Sequence, residues 1–171
     1  MTPEKLLRVI VAAKKGHRSI LNLIRQRIVE LPPEIGELNN LVQLDLSDNY
    51  LESLPDEFGN LKIIKRVALD HLKLTSFPTS IFRLATLEEL YLRGNKLTEL
   101  PPEIGMLKNL KGLDLRGNKL TSLPKELGQL PRLKTLFVDA NPLESPPQKI
   151  VLQGSEAVLR FLRNSAHVVE I

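Results

Sequence analysis

Few side chains in this sequence have the type and spacing that catalysis or metal binding requires. The chain has no cysteine, and its three histidines, His17, His71 and His167, are too far apart in sequence to form a motif such as HExxH. Adjacent carboxylates at 56–57 and 88–89 occupy positions that we expect to be exposed, where no apolar pocket would shift their pKa. No GxSxG or GxxxxGK[ST] motif occurs. The sequence therefore predicts no catalytic residue, no metal site, no cofactor and no small-molecule substrate, so the chain is predicted not to be an enzyme.

The composition is that of one domain with an uneven charge distribution. The chain has 171 residues, of which 42% are apolar, enough to form a buried core. Residues 1–30 carry seven Lys or Arg and two acidic residues, a net charge of +5, whereas the remaining 141 residues carry 17 and 18, a net charge of −1. A basic terminus of this kind can attract nucleic acid or anionic lipid, although it is more often a solvated face.

One 23-residue repeat organises almost the whole chain. In residues 87–107, LEELYLRGNKLTELPPEIGML, apolar residues recur at fixed positions, and the same spacing returns in six units that begin at positions 18, 41, 64, 87, 110 and 133. The alternation in 90–92 predicts a short strand with two leucines facing inward. Asn95 is predicted to bond backbone groups at a turn, and Pro101 to start the segment on the other side. A repeat of this length predicts a solenoid.

Two units depart from the asparagine position of the repeat. The first unit has Gln26 there, and the third has Leu72. Because a leucine side chain cannot bond the backbone of the turn, we expect the third unit to lose about 1–3 kcal/mol of stability unless a neighbour or water substitutes.

The stretches LEELYLRGNKL and LKGLDLRGNKL match LxxLxLxxNxL, the signature of the leucine-rich repeat family, which the chain resembles over residues 18–153. In that family each unit adds one parallel strand to a concave sheet and a turn or short helix to the convex side. The resemblance therefore implies an α/β fold: a right-handed βα solenoid with a curved parallel sheet and short convex helical turns. The unit length and the LPxxIGxL half are most similar to intracellular Ras-group repeats and to the repeat domains of Roco proteins.

Amphipathic helices are predicted to cover both open ends of the solenoid. Thr2 is expected to cap a helix over 3–15 whose apolar stripe begins at Leu6. Its other members are Leu7, Ile10 and Val11, and Gly16 is its expected stop. Ser155 is expected to cap the second helix. The predicted divisions are an N-terminal capping helix at 1–17, six repeats at 18–153, and a C-terminal capping helix and tail at 154–171.

The candidate binding residues lie on the predicted concave face, where positions 3, 5 and 7 of each unit should point outward. Aromatic and arginine side chains dominate interface energetics, and they gather in the C-terminal half of this face. We predict that this patch anchors a protein partner and that its arginines meet a carboxylate. In the alternative, Arg93 pairs with Asp114 or Glu89 and the rings only cover strand backbone. The predicted partner-binding residues are Glu89, Tyr91, Arg93, Asp114, Arg116, Phe137 and Asp139.

The predicted function is protein–protein recognition by a non-enzymatic adaptor or regulatory scaffold. By resemblance to Ras-group and Roco proteins, the expected partner is a small GTPase or another signalling protein. A second hypothesis is electrostatic binding of nucleic acid or an anionic membrane, which neighbouring aspartates and the lack of interleaved aromatics disfavour. A third is a recognition fragment of a Roco-like protein, or a repeat scaffold with no partner. The second hypothesis would use the basic N-terminus and a row at position 10: Arg27, Tyr50, Lys73, Lys96 and Lys119.

The sequence also predicts a monomer in the cytoplasm. The N-terminal segment is predicted to be an amphipathic helix rather than a signal peptide, because Glu4 precedes its short apolar stretch and Lys14 and Lys15 close it. The chain lacks the LxGxIP pattern of plant receptor repeats and the cysteine-bearing caps of many extracellular members. The absence of cysteine fits a reducing compartment.

Overall fold

Six short parallel strands form one sheet in the order of the chain. The computed structural model describes residues 1–165. Each strand pairs with the next in a constant register, so that Leu21 lies opposite Leu44 and Leu44 opposite Val67. The sheet and its register confirm the predicted α/β solenoid. The strands are β1 (Ile20–Asn22), β2 (Gln43–Asp45), β3 (Arg66–Ala68), β4 (Glu89–Tyr91), β5 (Gly112–Asp114) and β6 (Thr135–Phe137).

Five turns of 3-10 helix, here called the convex turns, run along the other side of the solenoid. Each follows a proline in extended conformation, which fixes φ and has no N–H to leave unpaired. The single helical turn expected for each unit is therefore confirmed for the first five units. The convex turns are Pro33–Glu37, Asp56–Asn60, Thr79–Arg83, Pro102–Met106 and Lys125–Gln129.

Buried asparagines hold successive units together at the turn after each strand. The Asn95 side chain donates to the carbonyls of Leu69, at 2.8 Å, and Leu92, at 3.1 Å. Its Oδ1 accepts from the N–H of Leu74 at 3.2 Å. One amide thus satisfies three backbone groups in two units, because each unit presents the same turn to the next.

These asparagine hydrogen bonds, repeated from unit to unit, form what we call the asparagine ladder. Leu72 interrupts the ladder and leaves one backbone group without its partner. Its side chain is buried at the asparagine position. The carbonyls of Leu46 and Leu69 are still bonded, by Asn49 and Asn95. The N–H of Leu51, which corresponds to that of Leu74, has no hydrogen-bond acceptor among residues 1–165. The asparagines of the neighbouring units therefore form two of the three hydrogen bonds that an asparagine at position 72 would form. The expected loss of stability is confined to the N–H of Leu51.

Helix α1 (Pro3–Lys15) covers the core at the N-terminal end. Thr2 Oγ1 accepts from the N–H of Lys5 at 3.3 Å, as expected of the cap. The buried residues are Leu6, Ile10 and Ala13, so the stripe follows i, i+4 and i+7. The prediction was wrong for Val11, which is exposed, because that position lies beyond the buried face. Gly16 ends the helix, but the left-handed φ of 47° belongs to His17.

Two helices follow β6 at the other end, α2 (Gln148–Val151), which the sequence did not predict, and α3 (Ser155–Ser165). Helix α3 buries Val158, Leu159 and Leu162 against the last unit. The prediction that Ser155 caps α3 was wrong, because its hydroxyl bonds the backbone of β6 instead. The predicted tail and His167 lie at 166–171, outside the described residues. The boundaries at 17 and 153 stay a prediction.

Candidate functional site

The predicted binding residues come from β4, β5 and β6 and from the positions that follow these strands. The register places Tyr91 opposite Asp114 and Asp114 opposite Phe137, so these three side chains form one row across neighbouring strands about 4.8 Å apart. Glu89 is the first residue of β4. A second row, Arg93, Arg116 and Asp139, lies two residues after the ends of the three strands. We call Glu89, Tyr91, Arg93, Asp114, Arg116, Phe137 and Asp139 the concave patch.

Asp114 differs from its prediction, because it is buried and not presented to solvent. Only 3% of its surface is exposed. The carboxylate accepts from the backbone N–H of Arg116 at 3.0 Å and from Arg116 Nε at 2.9 and 3.0 Å, and it also receives Nη2 of the same guanidinium. This multiple hydrogen bonding to Asp114 holds the pKa of Arg116 above its ordinary value. Asp114 therefore fixes the position of Arg116 and is not itself available to a partner.

The predicted meeting of both arginines with a partner carboxylate needs correction for Arg116, whose guanidinium is already paired with Asp114. The alternative pairing of Arg93 with Asp114 or Glu89 is also not what the structure shows. The backbone N–H of Arg93 donates to Asp70 Oδ1 at 2.8 Å. Within residues 1–165 its side chain forms no ion pair, and it is exposed. Arg93 is thus the arginine of the patch that remains available.

Two arginines lie over the two aromatic rings. The Arg66 guanidinium carbon is 4.6 Å from the centre of the Tyr91 ring, and that of Arg116 is 4.8 Å from the centre of the Phe137 ring. Arg66 also bonds Glu89 Oε2 at 2.8 Å, and the Tyr91 hydroxyl donates to the same oxygen at 2.8 Å. Burial, followed by the bond to Glu89, raises the pKa of Tyr91. These contacts fix the orientation of the rings.

Arg66 belongs to the site, although it is not among the predicted partner-binding residues. Its position in β3 is directly opposite Glu89 in β4. Opposite charges at paired positions of neighbouring strands were a signal that the repeat register already contained. The guanidinium of Arg66 then lies over the face of the Tyr91 ring, two positions after Glu89.

A recess opens at Gly112, between the ring of Tyr91 and that of Phe137. It has a volume of about 160 Å³, and Glu89 and Thr135 border it on the neighbouring strands. A Cβ at Gly112 would meet only Glu89 Cγ, at 4.0 Å, so the space above this residue is open. Phe137 is 41% exposed. The recess therefore has two aromatic sides, polar borders and access from solvent.

Two other carboxylates near the patch have shifted pKa values. Burial raises the pKa of Asp70, and the bond from the Arg93 N–H opposes this shift. The side-chain hydrogen bond from Lys111, together with that from Lys65, lowers the pKa of Glu88, which lies outside the concave sheet. Within residues 1–165, no group of three or more acidic or histidine side chains is arranged to hold a metal ion.

The basic row at position 10 lies along one edge of the solenoid and is exposed. Lys73 Nζ lies 5.0 Å from the centre of the Tyr50 ring. The row contains no other aromatic residue, so it offers no series of stacking platforms for bases.

Comparisons with known proteins identify the repeats. Two models, each described as a leucine-rich repeat, match the chain, one over residues 85–143 and the other over residues 40–61. No curated protein sequence matches. The closer resemblance to Ras-group and Roco repeats stays a prediction.

Solved structures of plant receptors are similar to the chain. The plant peptide hormone receptor RGFR1, in complex with RGF2, is 36% identical over 73% of this chain and 21% of that chain, with a TM-score of 0.64. The leucine-rich repeat ectodomain of the membrane receptor kinase GASSHO1/SCHENGEN3 from Arabidopsis thaliana, in complex with CASPARIAN STRIP INTEGRITY FACTOR 2, is 32% identical over 73% and 16%, with a TM-score of 0.63. A TDR receptor is 33% identical over 67% and 20%, with a TM-score of 0.59. The chain thus spans about a fifth of the length of these receptors.

These similarities contradict the predicted cytoplasmic location. The solved structures are receptor domains, one of them an ectodomain of a membrane receptor kinase, and they point to an extracellular location. The prediction relied on the missing cysteines, on the missing LxGxIP pattern and on an N-terminal helix in place of a signal peptide. The first of these does not decide the location, because a solenoid closes its ends by apolar packing of helices and needs no disulfide for that purpose. Within the part of the chain that the structure describes, no helix has the length and apolarity to cross a membrane.

The stacked strands, the asparagine turns and the two matching models together show that the chain belongs to the leucine-rich repeat family.

Proposed function

We propose that this chain is a protein-recognition module that binds an extended segment of a partner protein across β4, β5 and β6. The observation that carries this proposal is the open recess at Gly112 between Tyr91 and Phe137. Aromatic residues are rare in the chain, with five Phe and two Tyr, and two of them stand here. Rigid aromatic sides around a small open recess are typical of the central contact of a protein interface.

The contacts around the recess assign different parts to the residues of the patch. Arg66 and Glu89 hold Tyr91, and Arg116 with its buried partner Asp114 supports Phe137. Because these groups are already ordered, little side-chain entropy is lost when a partner binds. Arg93 and Asp139, which are exposed, remain for polar contacts at the rim. An aliphatic side chain of the partner would enter the recess, and its acidic neighbour would meet Arg93.

The solved structures support a protein or peptide partner. The two similar receptors described in complexes hold RGF2 in one case and CASPARIAN STRIP INTEGRITY FACTOR 2 in the other. We extend only the class of ligand, a peptide or protein, to this chain. A small GTPase partner and an adaptor role rest on resemblance and stay predictions, as do the monomeric state and the lack of enzymatic activity.

Filling the recess tests the proposal. Peptides that bind the wild-type chain would be selected from a random displayed library, and their affinities measured by calorimetry. Gly112→Gln should fold normally, because the new Cβ has ordinary contacts only, and it should weaken binding at least about tenfold by occupying the recess. Phe137→Ala should have a similar effect.

The matched control is Met106→Ala, which removes an exposed apolar side chain from a convex turn. It should leave the affinities within about twofold. Selected peptides that bind Gly112→Gln and Phe137→Ala as tightly as the wild type would show that another surface is used.

A further inference from the structure

The outer edge of β1 is free of hydrogen-bond partners in the described part of the chain. Ser19 O accepts from the N–H of Gln43 at 3.0 Å, and the N–H of Leu23 donates to Asp45 O at 2.8 Å, so these groups face β2. Alternation along a parallel strand then turns the N–H and C=O groups of Ile20 and Asn22 away from the sheet. Among residues 1–165, no backbone or side-chain group bonds these four groups.

An apolar groove runs beside this edge, between β1 and α1. Val9, Ala12 and Ala13 of the helix line it together with Ile20 and Leu21, and two polar residues, Arg18 and Asn22, complete the lining. The groove has a volume of about 600 Å³, and Ile20 is 58% exposed beside it. A strand paired to Ile20 and Asn22 would therefore place alternate side chains over the apolar face of α1.

The charge around the groove favours an acidic occupant. Arg18 lines the groove, and Lys5, Arg8 and Lys15 belong to α1; none of these four cations forms an ion pair within residues 1–165. Glu4 is the acidic residue of α1. An acidic segment is attracted to this end of the chain, whereas a second copy would bring another basic edge against it and be repelled.

We propose that the outer edge of β1 binds an acidic, extended segment of a partner protein by strand addition. Backbone groups of that segment bond Ile20 and Asn22, one aliphatic side chain enters the groove, and flanking carboxylates meet the unpaired cations. This site is at the opposite end of the sheet from the concave patch, and it shares no residue with it.

Amide hydrogen exchange gives the most direct test. The probe is a synthetic peptide of seven alternating glutamate and valine residues, blocked at both ends and added to the full chain. At saturation the amides of Ile20 and Asn22 should exchange at least about tenfold more slowly, while that of Leu21, already bonded to β2, changes little. A peptide with lysine in place of glutamate should bind at least about tenfold more weakly.

Two substitutions at one position separate the backbone from the side chain. Asn22→Pro removes the outward N–H but leaves the bonds to β2, and it should weaken peptide binding about tenfold. Both substitutions remove the hydrogen bond that the Ile24 N–H donates to Asn22 Oδ1. Asn22→Ala keeps the backbone N–H, so its peptide affinity should stay within about twofold of the wild type. Ala12→Glu should also weaken binding about tenfold, because it fills the groove and repels the peptide.

Thermal unfolding of each variant establishes that it is folded. The proposal is overturned if saturating peptide leaves the exchange of Ile20 and Asn22 unchanged, or if the lysine peptide binds as well as the glutamate peptide. It is equally overturned if the peptide-free chain dimerises in sedimentation and Asn22→Pro abolishes the dimer, since the occupant is then a second copy.

Discussion

The two ends of the sheet are closed in different ways. Helix α1 and helix α3 each bury three side chains against the core at their own end of the solenoid. At β6, Ser155 Oγ also accepts from the N–H of Leu136 and donates to its carbonyl, each at 2.9 Å. At β1, the corresponding groups of Ile20 and Asn22 have no such partner among residues 1–165. Covering the core and satisfying the edge are therefore separate tasks, and only the second distinguishes the two ends.

Removing a core side chain from either helix should have the largest effect. Leu6→Ala and Leu162→Ala each delete a buried side chain, so each should lower the free energy of unfolding by about 2–5 kcal/mol. Denaturant unfolding measures this. The exposed Leu152 is the control, since its replacement by Ala should change stability by less than about 0.5 kcal/mol. A large difference between the two truncations would contradict the view that both helices cover the core alike.

The asparagine ladder should be more important near the N-terminal end. Asn49 is buried, donates to three carbonyls and accepts from the N–H groups of Gln26, at 3.0 Å, and Ile28, at 2.9 Å. Asn141 is half-buried and accepts from one N–H, that of Leu120, at 3.0 Å. We expect Asn49→Ala to cost about 2–4 kcal/mol and Asn141→Ala about 1–2 kcal/mol, measured in the same unfolding experiment. Equal losses would show that the extra bond carries no net stability.

Opening the closed edge should have a smaller effect. Ser155→Ala leaves the N–H and C=O of Leu136 without their partner, at a cost of about 1–2 kcal/mol. The exchange of the Leu136 amide should become at least about tenfold faster, toward the rate expected at Ile20. Ser165→Ala serves as the control, because its hydroxyl bonds Phe161 O at an exposed site. Unchanged protection of Leu136 would mean that α3 shields the edge without the hydroxyl.

Ion pairs should distinguish the ends least. Lys14 Nζ and Glu37 Oε2 are 2.6 Å apart and join α1 to a convex turn, whereas Arg160 and Glu156 pair within α3. All four side chains are largely exposed, so Lys14→Met and Arg160→Met should each change stability by less than about 1 kcal/mol. The effect should vanish in about 1 M salt. A larger loss for Lys14→Met that persists at high salt would show that this contact does more than pair charges.

The repeat spacing was enough to predict the fold and the row of side chains on the concave face. Equal spacing of leucines, prolines and asparagines forces one register, and that register brings Tyr91, Asp114 and Phe137 together. The spacing could not reveal that Asp114 is buried, because its burial depends on the Arg116 side chain folding back over it. The register does place Arg66 opposite Glu89, but the contact of its guanidinium with the Tyr91 ring depends on the side-chain conformation, which the spacing does not specify.

The ends were harder to predict than the middle. No repeat constrains them, so the amphipathic pattern located α1 correctly but assigned Val11 to the wrong face. Ser155 has the residue type and position of a helix cap, and only the placement of α3 against β6 turns its hydroxyl toward the strand. Location could not be inferred from composition, because the same stacking physics operates on either side of a membrane.

The missing acceptor at Leu51 has a consequence for how the array comes apart. Each strand residue pairs with the residue 23 positions later, so the loops between neighbouring strands all have the same length. The chain therefore behaves as a linear series of coupled repeat units. In such a series, separation starts at the weakest coupling. Within residues 1–165, the unpaired N–H of Leu51 leaves the coupling between the second and third units short of one hydrogen bond, so separation at this boundary would release the first two units with α1 while β4, β5 and β6 stay assembled.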